Sequence, residues 1–135
     1  MKIYNIRFTD TDIVGVDESG REWKQSLLWY PGLKNATTEQ RNSYEVGFDG
    51  FHWRNVDEDV SFESFFYEDA ESTPLQRFFL THKEIKISEF AKMIGIDATL
   101  LRNYINGFKK PSLAREQTIL AGIHTLAREY AAAAF

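Results

Sequence analysis

The chain has 135 residues, enough for one domain or two small ones, and its 43% hydrophobic and 15% aromatic content exclude a disordered protein. It has no cysteine, which excludes disulfides, thiolate metal sites and cysteine nucleophiles and fits a reducing cytoplasm. There is no apolar run of membrane-spanning length and no signal peptide, so we expect a soluble cytoplasmic protein.

The net charge of −4 is unevenly distributed. Residues 1–72 carry 7 lysines and arginines against 15 acidic residues, whereas residues 73–135 carry 9 against 5. A polyanion is attracted to a basic surface and repelled by an acidic one. The acidic overall balance therefore does not exclude nucleic acid as a partner, but it confines the contact to the C-terminal half.

The N-terminal half is predicted to form strands, because apolar and polar residues alternate there over short stretches. The stretches with this pattern are residues 2–8, 13–16, 21–28, 44–48 and 51–56. Gly20 can close a tight reversal with a positive φ, and Asp49-Gly50 is a hairpin signal. The Tyr-Pro-Gly sequence at residues 30–32 breaks the third strand.

Two short helical segments are predicted among these strands. Residues 36–41 are typical of a short helix with Thr37 or Thr38 as N-cap. Residues 60–67 form an amphipathic segment preceded by the acidic run 57–59. Such a run either binds a hard cation or caps a helix and complements its dipole, and we take the second interpretation.

Most aromatic side chains of this half are predicted to lie in the core. They are Trp23, Trp29, Trp53, Phe48, Phe51, Phe62, Phe65 and Phe66. A stacking platform for single-stranded nucleic acid is the alternative, but such platforms need a basic groove, and this half is acidic. We expect Trp29 to be partly exposed as a partner-binding patch.

The sequence gives little basis for an enzyme. His52, His82 and His124 lie far apart without ligand spacing, and no glycine-rich loop is present to hold a phosphate. His52 alternates with two aromatic residues, so we expect it on the opposite face as a surface or hydrogen-bonded histidine. We predict no catalytic, cofactor-binding or metal-binding residue.

The composition becomes small and polar at residues 68–73, which predicts a domain boundary. We expect an acidic α+β domain over residues 1–70 and a helical domain over 71–135, whose first helix begins at Pro74. The predicted fold class is α+β, with a small antiparallel-sheet domain and short helices followed by an all-α domain.

Residues 86–112 have the pattern of a helix-turn-helix. Ala91 is small where two helices cross, and Gly95 stands where the turn needs a backbone angle that a Cβ disfavours. Asp97 is the expected N-cap of the second helix, and Gly107 is its end. The residues expected between the helices are Phe90, Ile94, Ile96, Leu101 and Tyr104.

With Asn106-Gly107 and Pro111-Ser112 at its end, this pattern resembles the phage-repressor, or Xre, type of helix-turn-helix. The DNA-binding residues that the resemblance implies are Ser88, Ala98, Thr99, Arg102, Asn103, Asn106, Lys109 and Lys110. Ala98, Thr99 and Asn103 are expected to meet base edges in the major groove. An ordinary helical hairpin without a DNA role is the alternative.

Arg102 is expected to reach guanine or phosphate, and Lys109 and Lys110 to contact phosphate. A solvated loop is the alternative for the two lysines. Phe108 falls where such motifs often have a basic residue, and it indicates a packing or partner contact instead.

The last predicted helix runs from Leu113 to about Ala134, with Ser112 as N-cap. Its apolar stripe consists of Ile119, Ile123, Leu126 and Tyr130. The stripe is either the seam of a homodimer or the surface that packs on the first helix of the motif.

Four segments of the N-terminal half resemble a bacterial family known as domain of unknown function 2442. They are Trp-Tyr-Pro-Gly-Leu at residues 29–33, residues 36–41, Phe-His-Trp at 51–53 and Asp-Glu-Asp-Val-Ser at 57–61. The resemblance, over about residues 1–67, implies a small α+β domain. In some members of that family a repressor-like helix-turn-helix follows, and some are encoded beside a toxin.

Together these features predict a sequence-specific DNA-binding transcriptional regulator with an antitoxin-like role. The expected partners are double-stranded DNA, a second copy of the chain, and a basic protein such as a toxin that binds the acidic domain. The alternative is a protein-interaction module, neutralising a toxin or mediating assembly, that does not bind DNA.

Overall fold

The computed structural model describes all residues from Met1 to Phe135 and divides into two compact units, Met1–Thr81 and His82–Phe135. The first unit contains two antiparallel sheets and short helices, and the second contains helices alone. The predicted α+β class is confirmed. None of the helices combines the length and the apolar character needed to cross a membrane.

The first sheet is an antiparallel meander of β1 (Ile3–Phe8), β2 (Asp12–Asp17) and β3 (Glu22–Ser26), in that order. β3 ends earlier than the alternation predicts. The reason is that the Ser26 hydroxyl accepts a hydrogen bond from the N–H of Leu28 at 3.1 Å and so begins a turn of 3₁₀ helix.

The turn between β2 and β3 is held by the side chain of Asp17. Its carboxylate accepts hydrogen bonds from the Ser19 hydroxyl at 2.6 Å and from the Trp23 indole N–H at 2.9 Å. Because both bonds favour the ionised form, they lower the pKa of Asp17 to about 2. Gly20 completes the turn with a φ of 88°, as predicted.

Helical turns follow β3, where the sequence predicts only the end of a strand. Leu27–Trp29 is a 3₁₀ turn. α1 (Pro31–Lys34) begins with Pro31, one of the residues that are predicted to end the strand. Proline suits this first helical position, since its missing N–H has no intrahelical partner there. α2 (Thr38–Asn42) lies close to its predicted range, with Thr37 as its N-cap.

The second sheet contains β4 (Glu45–Val46), β5 (Gly50–Trp53) and β6 (Glu58–Ser61) in sequential antiparallel order. The predicted hairpin around residues 49–50 is present, but both strands are shorter than expected. Gly50 lies within β5, and a Cβ there would collide with the carbonyl oxygen of Val60.

The interpretation of residues 57–59 as a helix cap is wrong. Asp57 takes a φ of 52° in the β5–β6 turn, and the next two residues belong to β6. The predicted amphipathic segment 60–67 is therefore the end of a strand followed by a 3₁₀ turn, Glu63–Phe66. Pairing with β5 determines this outcome, because the register joins Phe51 to Val60 across the sheet.

The core of the first unit combines both sheets. Its buried side chains are Ile3, Ile13, Leu27, Leu33, Phe51, Trp53, Val60, Phe62 and Phe65. Most of the predicted core aromatics lie in or against this cluster, and Trp29 is half-buried, with its indole N–H donating to the carbonyl of Ala70 at 3.0 Å. The prediction that Phe48 lies in the core is wrong, since its side chain is fully exposed.

α3 (Pro74–Thr81) begins at the predicted proline but belongs to the first unit, so the division lies after Thr81 and not after residue 70. Arg77 of α3 approaches the buried carboxylate of Asp12 at 4.0 Å. The other carboxylate oxygen of Asp12 has no hydrogen-bond partner. This contact joins two distant parts of the sequence, which a local change in composition cannot reveal.

The second unit consists of α4 (Ile87–Ile94), α5 (Ala98–Ile105) and α6 (Leu113–Ala132). Gly95 ends α4 with a φ of 74°, a conformation that L side chains disfavour. The predicted N-caps are present at the starts of the next two helices: Asp97 accepts from Leu100 N–H at 3.1 Å, and Ser112 caps α6.

Small residues lie where the helices of the second unit pack closely against one another. Ala91 and Leu101 are buried between α4 and α5, as predicted. On α6, Ile119 is buried, and a Cβ at Gly122 would lie 3.1 Å from Phe90 Cζ. The first part of the α6 stripe therefore packs on α4 of the same chain.

Candidate functional site

The site predicted on the second unit is the outward face of α5. Thr99, Arg102 and Asn106 are exposed, and they recur at the spacing that places side chains on one side of a helix. Leu101 and Tyr104, on the opposite side of α5, are buried. The helix is thus anchored by its apolar face and presents a short polar face to solvent.

Three other predicted residues are less accessible. Ala98 and Asn103 on α5 and Ser88 on α4 are half-buried. Since Ala98 and Asn103 flank the exposed face, they remain available to a partner that approaches α5 closely. Ser88 lies in the first turn of α4, not on α5, and α4 has no side-chain N-cap bond.

The segment after α5 is fixed by backbone hydrogen bonds. The carbonyl oxygen of Asn103 accepts from the N–H groups of Phe108 at 2.9 Å and Lys109 at 3.2 Å, and Gly107 has a φ of 82°. This pattern is typical of a left-handed helix C-cap. It places two exposed lysines, Lys109 and Lys110, directly after the exposed polar face.

Phe108 does not act as a core residue in this structure. Its side chain is 79% exposed although it is apolar and lies between Gly107 and two lysines. The prediction of a packing contact inside the chain is therefore wrong, and a contact with a partner is the interpretation that remains.

The electrostatics of the two units differ in sign. The second unit has 8 lysines and arginines against 5 acidic residues, and the first unit has 8 against 15. Asp97, the acidic residue that directly precedes α5, is engaged as the N-cap of that helix. The surface around α5 is therefore suited to a negatively charged partner.

His52, in the first unit, is hydrogen-bonded on both sides of its ring. Its Nδ1 lies 2.7 Å from a carboxylate oxygen of Asp59, and its Nε2 lies 3.1 Å from one of Asp49. The bond to Asp59 and, after it, the bond to Asp49 raise the pKa of His52, against the opposing effect of desolvation. His52 is a satisfied histidine, as the alternation predicts.

The structure shows no group of three histidine, aspartate or glutamate side chains arranged to hold a metal ion. The run at residues 57–59 does not converge on one point. Asp57 occupies the turn, Glu58 accepts from the N–H of Gly32 at 2.8 Å, and Asp59 pairs with His52. The carboxylates of Glu58 and Asp59 thus have structural partners.

Two polar features of the first unit have no counterpart among the sequence predictions. One is a buried network in which the Tyr30 hydroxyl donates to Gln25 Oε1 at 2.8 Å, and Gln25 Nε2 donates to the Ser64 hydroxyl at 3.0 Å. The other is a groove of about 360 Å³ between β3 and the segment after the second 3₁₀ turn. Neither has a local sequence signal, because both join residues about forty positions apart.

Comparison with known proteins identifies the first unit. Residues 4–81 match the family described as protein of unknown function DUF2442. The chain belongs to the DUF2442 family. The match extends to the end of α3, beyond the range of about 1–67 that the sequence resemblance covers, and it coincides with the end of the first compact unit. The resemblance that the sequence predicts is thus confirmed for this unit.

The DUF2442 match ends at residue 81, before the second unit begins. No curated protein and no solved structure gives a significant match to the chain.

Proposed function

We propose that this DUF2442 protein is a sequence-specific DNA-binding transcriptional regulator, and that α4 and α5 form a repressor-like helix-turn-helix of the Xre type. The observation that carries the proposal is the exposed polar face of α5, followed directly by the exposed pair Lys109-Lys110. A helix with short polar side chains fits the width of the major groove, and adjacent lysines suit the phosphates beside it.

The residues of this face divide into two roles in the proposal. Ala98, Thr99 and Asn103 meet base edges, where an alanine methyl suits a thymine methyl and an asparagine amide suits adenine. Arg102 reaches guanine or phosphate. Asn106 contacts the backbone beside it.

The remaining contacts in the proposal are to phosphates. Lys109 and Lys110 neutralise them from the segment that the Asn103 carbonyl holds in place. Ser88 adds a hydroxyl at the first turn of α4, where helix N–H groups favour an anion. These contacts set the register of the helix and carry no sequence information themselves.

A homodimer is part of the same proposal, because one recognition helix reads only a few base pairs and repressor-like domains pair on two half-sites. Ile119 is buried within its own chain, so it is removed from the proposed seam. Of the rest of the predicted stripe, Ile123 and Leu126 are half-buried and Tyr130 is exposed.

The test is selection of fragments from genomic DNA by the full chain, followed by binding measurements on the best fragment and on random duplex. Asn103→Ala is expected to weaken binding to the selected site by about 1–3 kcal/mol and to leave random DNA almost unaffected. Asn42→Ala, in the first unit, is the matched control and should change neither. Equal losses on both duplexes would contradict the base-reading role of Asn103.

A second candidate function concerns the first unit, whose net charge of −7 is opposite to that of the second. An acidic unit repels the DNA backbone but attracts a basic protein, and complementary charge speeds association with such a partner. We therefore propose an antitoxin-like role, in which the acidic unit binds a basic protein such as a toxin. Co-purification of the full chain with the product of the adjacent gene tests it, and failure of that product to bind leaves the DNA-binding proposal standing alone.

The alternative to both is an interaction module that binds a partner but not DNA. Retention of the partner together with absence of any selected DNA fragment would favour this alternative.

A further inference from the structure

β3 is an edge strand of the first sheet, and its ladder shows where its backbone groups point. The N–H of Ser26 donates away from β2, to the carbonyl of Ala70 at 2.7 Å. Because backbone groups alternate sides along an antiparallel strand, the N–H and C=O groups of Glu22 and Lys24 point the same way. Neither residue has a backbone partner on that side.

The groove of about 360 Å³ lies beside these open groups. One wall is the start of β3, and the other is the segment from Phe65 to Glu71, including the half-exposed ring of Tyr67. The Ser26–Ala70 hydrogen bond closes one end as the first rung of a strand pair would. No further rung follows along Lys24 and Glu22, so the sheet edge is open inside the groove.

The charge of the unit around the groove favours a cationic occupant. Three carboxylates line the groove; those of Glu22 and Glu71 already pair with Arg7 at 3.1 Å and Arg77 at 3.9 Å, so Glu68 is the acceptor that is left for a cation. Two cations also line the groove: Arg21, which is held over the ring of Trp23 at 4.0 Å from the ring centroid, and Lys24, which is exposed on β3. The unit that contains the groove has a net charge of −7, which adds to the attraction for a basic segment.

We propose that the β3 groove binds an extended basic segment of a partner protein, which pairs with Glu22 and Lys24 as an added strand. Main-chain hydrogen bonds supply affinity in this mode, and pockets for alternate side chains supply specificity. A lysine or arginine of the segment would face Glu68, and an aliphatic or aromatic neighbour would contact Tyr67. The inference rests on the partner-binding proposal for the sign of the partner's charge and is independent of DNA binding.

The test uses the full chain and a displayed library of random decapeptides, which needs no knowledge of the natural partner. Lys24→Pro removes the outward N–H of β3 while leaving the bonds to β2 intact, and proline is tolerated on an edge strand whose N–H faces outward. Lys24→Thr is the matched control, because it removes the same charge but keeps the N–H.

The expected result is enrichment of peptides with basic residues at alternate positions. Binding of the best peptide should fall about five- to tenfold in Lys24→Pro and less than twofold in Lys24→Thr. Amide hydrogen exchange of Glu22 and Lys24 should slow when the peptide is added. If circular dichroism shows that Lys24→Pro is unfolded, peptide binding by Glu68→Lys tests the charge of the groove instead. Glu18→Lys is then the control, since both glutamates are exposed but Glu18 does not line the groove.

Three results would overturn the proposal. They are a selection that enriches no peptide, peptides that bind Lys24→Pro as well as Lys24→Thr, and protection of the β3 edge by self-association without peptide. If the adjacent gene product binds and neither Lys24→Pro nor Glu68→Lys weakens that binding, the partner-binding proposal stands but the groove is not the binding site.

Discussion

The salt dependence of DNA binding gives the most direct test of the phosphate contacts assigned to the second unit. Arg102, Lys109 and Lys110 are three exposed cations on and after α5. Each phosphate that a cation neutralises contributes about −0.9 to the slope of log K against log salt concentration on B-DNA. One chain on one half-site should therefore show a slope of about −2.7, and a dimer about twice that.

These slopes translate into measurable changes in affinity. Raising salt from about 50 to about 200 mM should weaken one chain about 40-fold, but Lys109→Ala only about 12-fold, since one contact is lost. Fluorescence anisotropy of a labelled duplex over this range measures both slopes. Lys2→Ala, in the first unit, makes the same charge change and should leave the slope unaltered.

The slope separates a phosphate contact from a general effect of charge. A slope that stays the same in Lys109→Ala, Lys110→Ala and Arg102→Ala would refute the assignment even if the variants bind more weakly. A slope near zero in the unaltered protein would refute the DNA-binding proposal itself.

Three further predictions follow from other parts of the molecule. Gly95→Ala should lower the stability of the second unit to urea by about 1–2 kcal/mol, because Gly95 has a φ of 74°. No atom lies near the position of an added Cβ, so the cost comes from the backbone conformation alone. Unchanged stability would contradict this. Asp17→Asn should lower the urea midpoint of the first unit clearly more at pH 6 than at pH 2.5. The depressed pKa of Asp17, about 2 against 3.8, gives stability that is fully present above about pH 4 and is lost as the pH falls through about 2, so only part of it remains at pH 2.5. An equal difference at both pH values would argue against this assignment. Tyr130→Asp should convert a micromolar dimer to monomer in sedimentation, since Tyr130 is 64% exposed on α6; a dimer that survives places the seam elsewhere.

The features predicted correctly from the sequence are those that neighbouring residues determine. Thr37, Asp97 and Ser112 each cap a helix within three residues of themselves, and Gly20 and Gly95 each satisfy a turn at their own position. Such signals depend on local hydrogen bonds and backbone angles, so a linear sequence contains them.

The errors arose where distant residues decide the outcome. Residues 57–61 follow the acidic pattern of a helix start, but pairing of Val60 with Phe51 places them in a strand. Phe48 has the apolar, aromatic side chain of a core residue, but it lies between β4 and β5 at the tip of the hairpin, where no other residue covers it. Likewise, the groove beside β3 depends on where Ala70 returns to Ser26, which no spacing in the sequence reveals.

The contact between Arg77 and Asp12 determines how the chain can be divided in the laboratory. A fragment cut after residue 70 would lose α3 and leave the buried Asp12 carboxylate without its nearby cation, a change that is costly in a folded interior. A cut after Thr81 keeps this pair intact and also follows the limit of the DUF2442 match. Fragments for crystallisation, and chimaeras that join this sheet unit to another helical unit, should therefore be joined at residue 81.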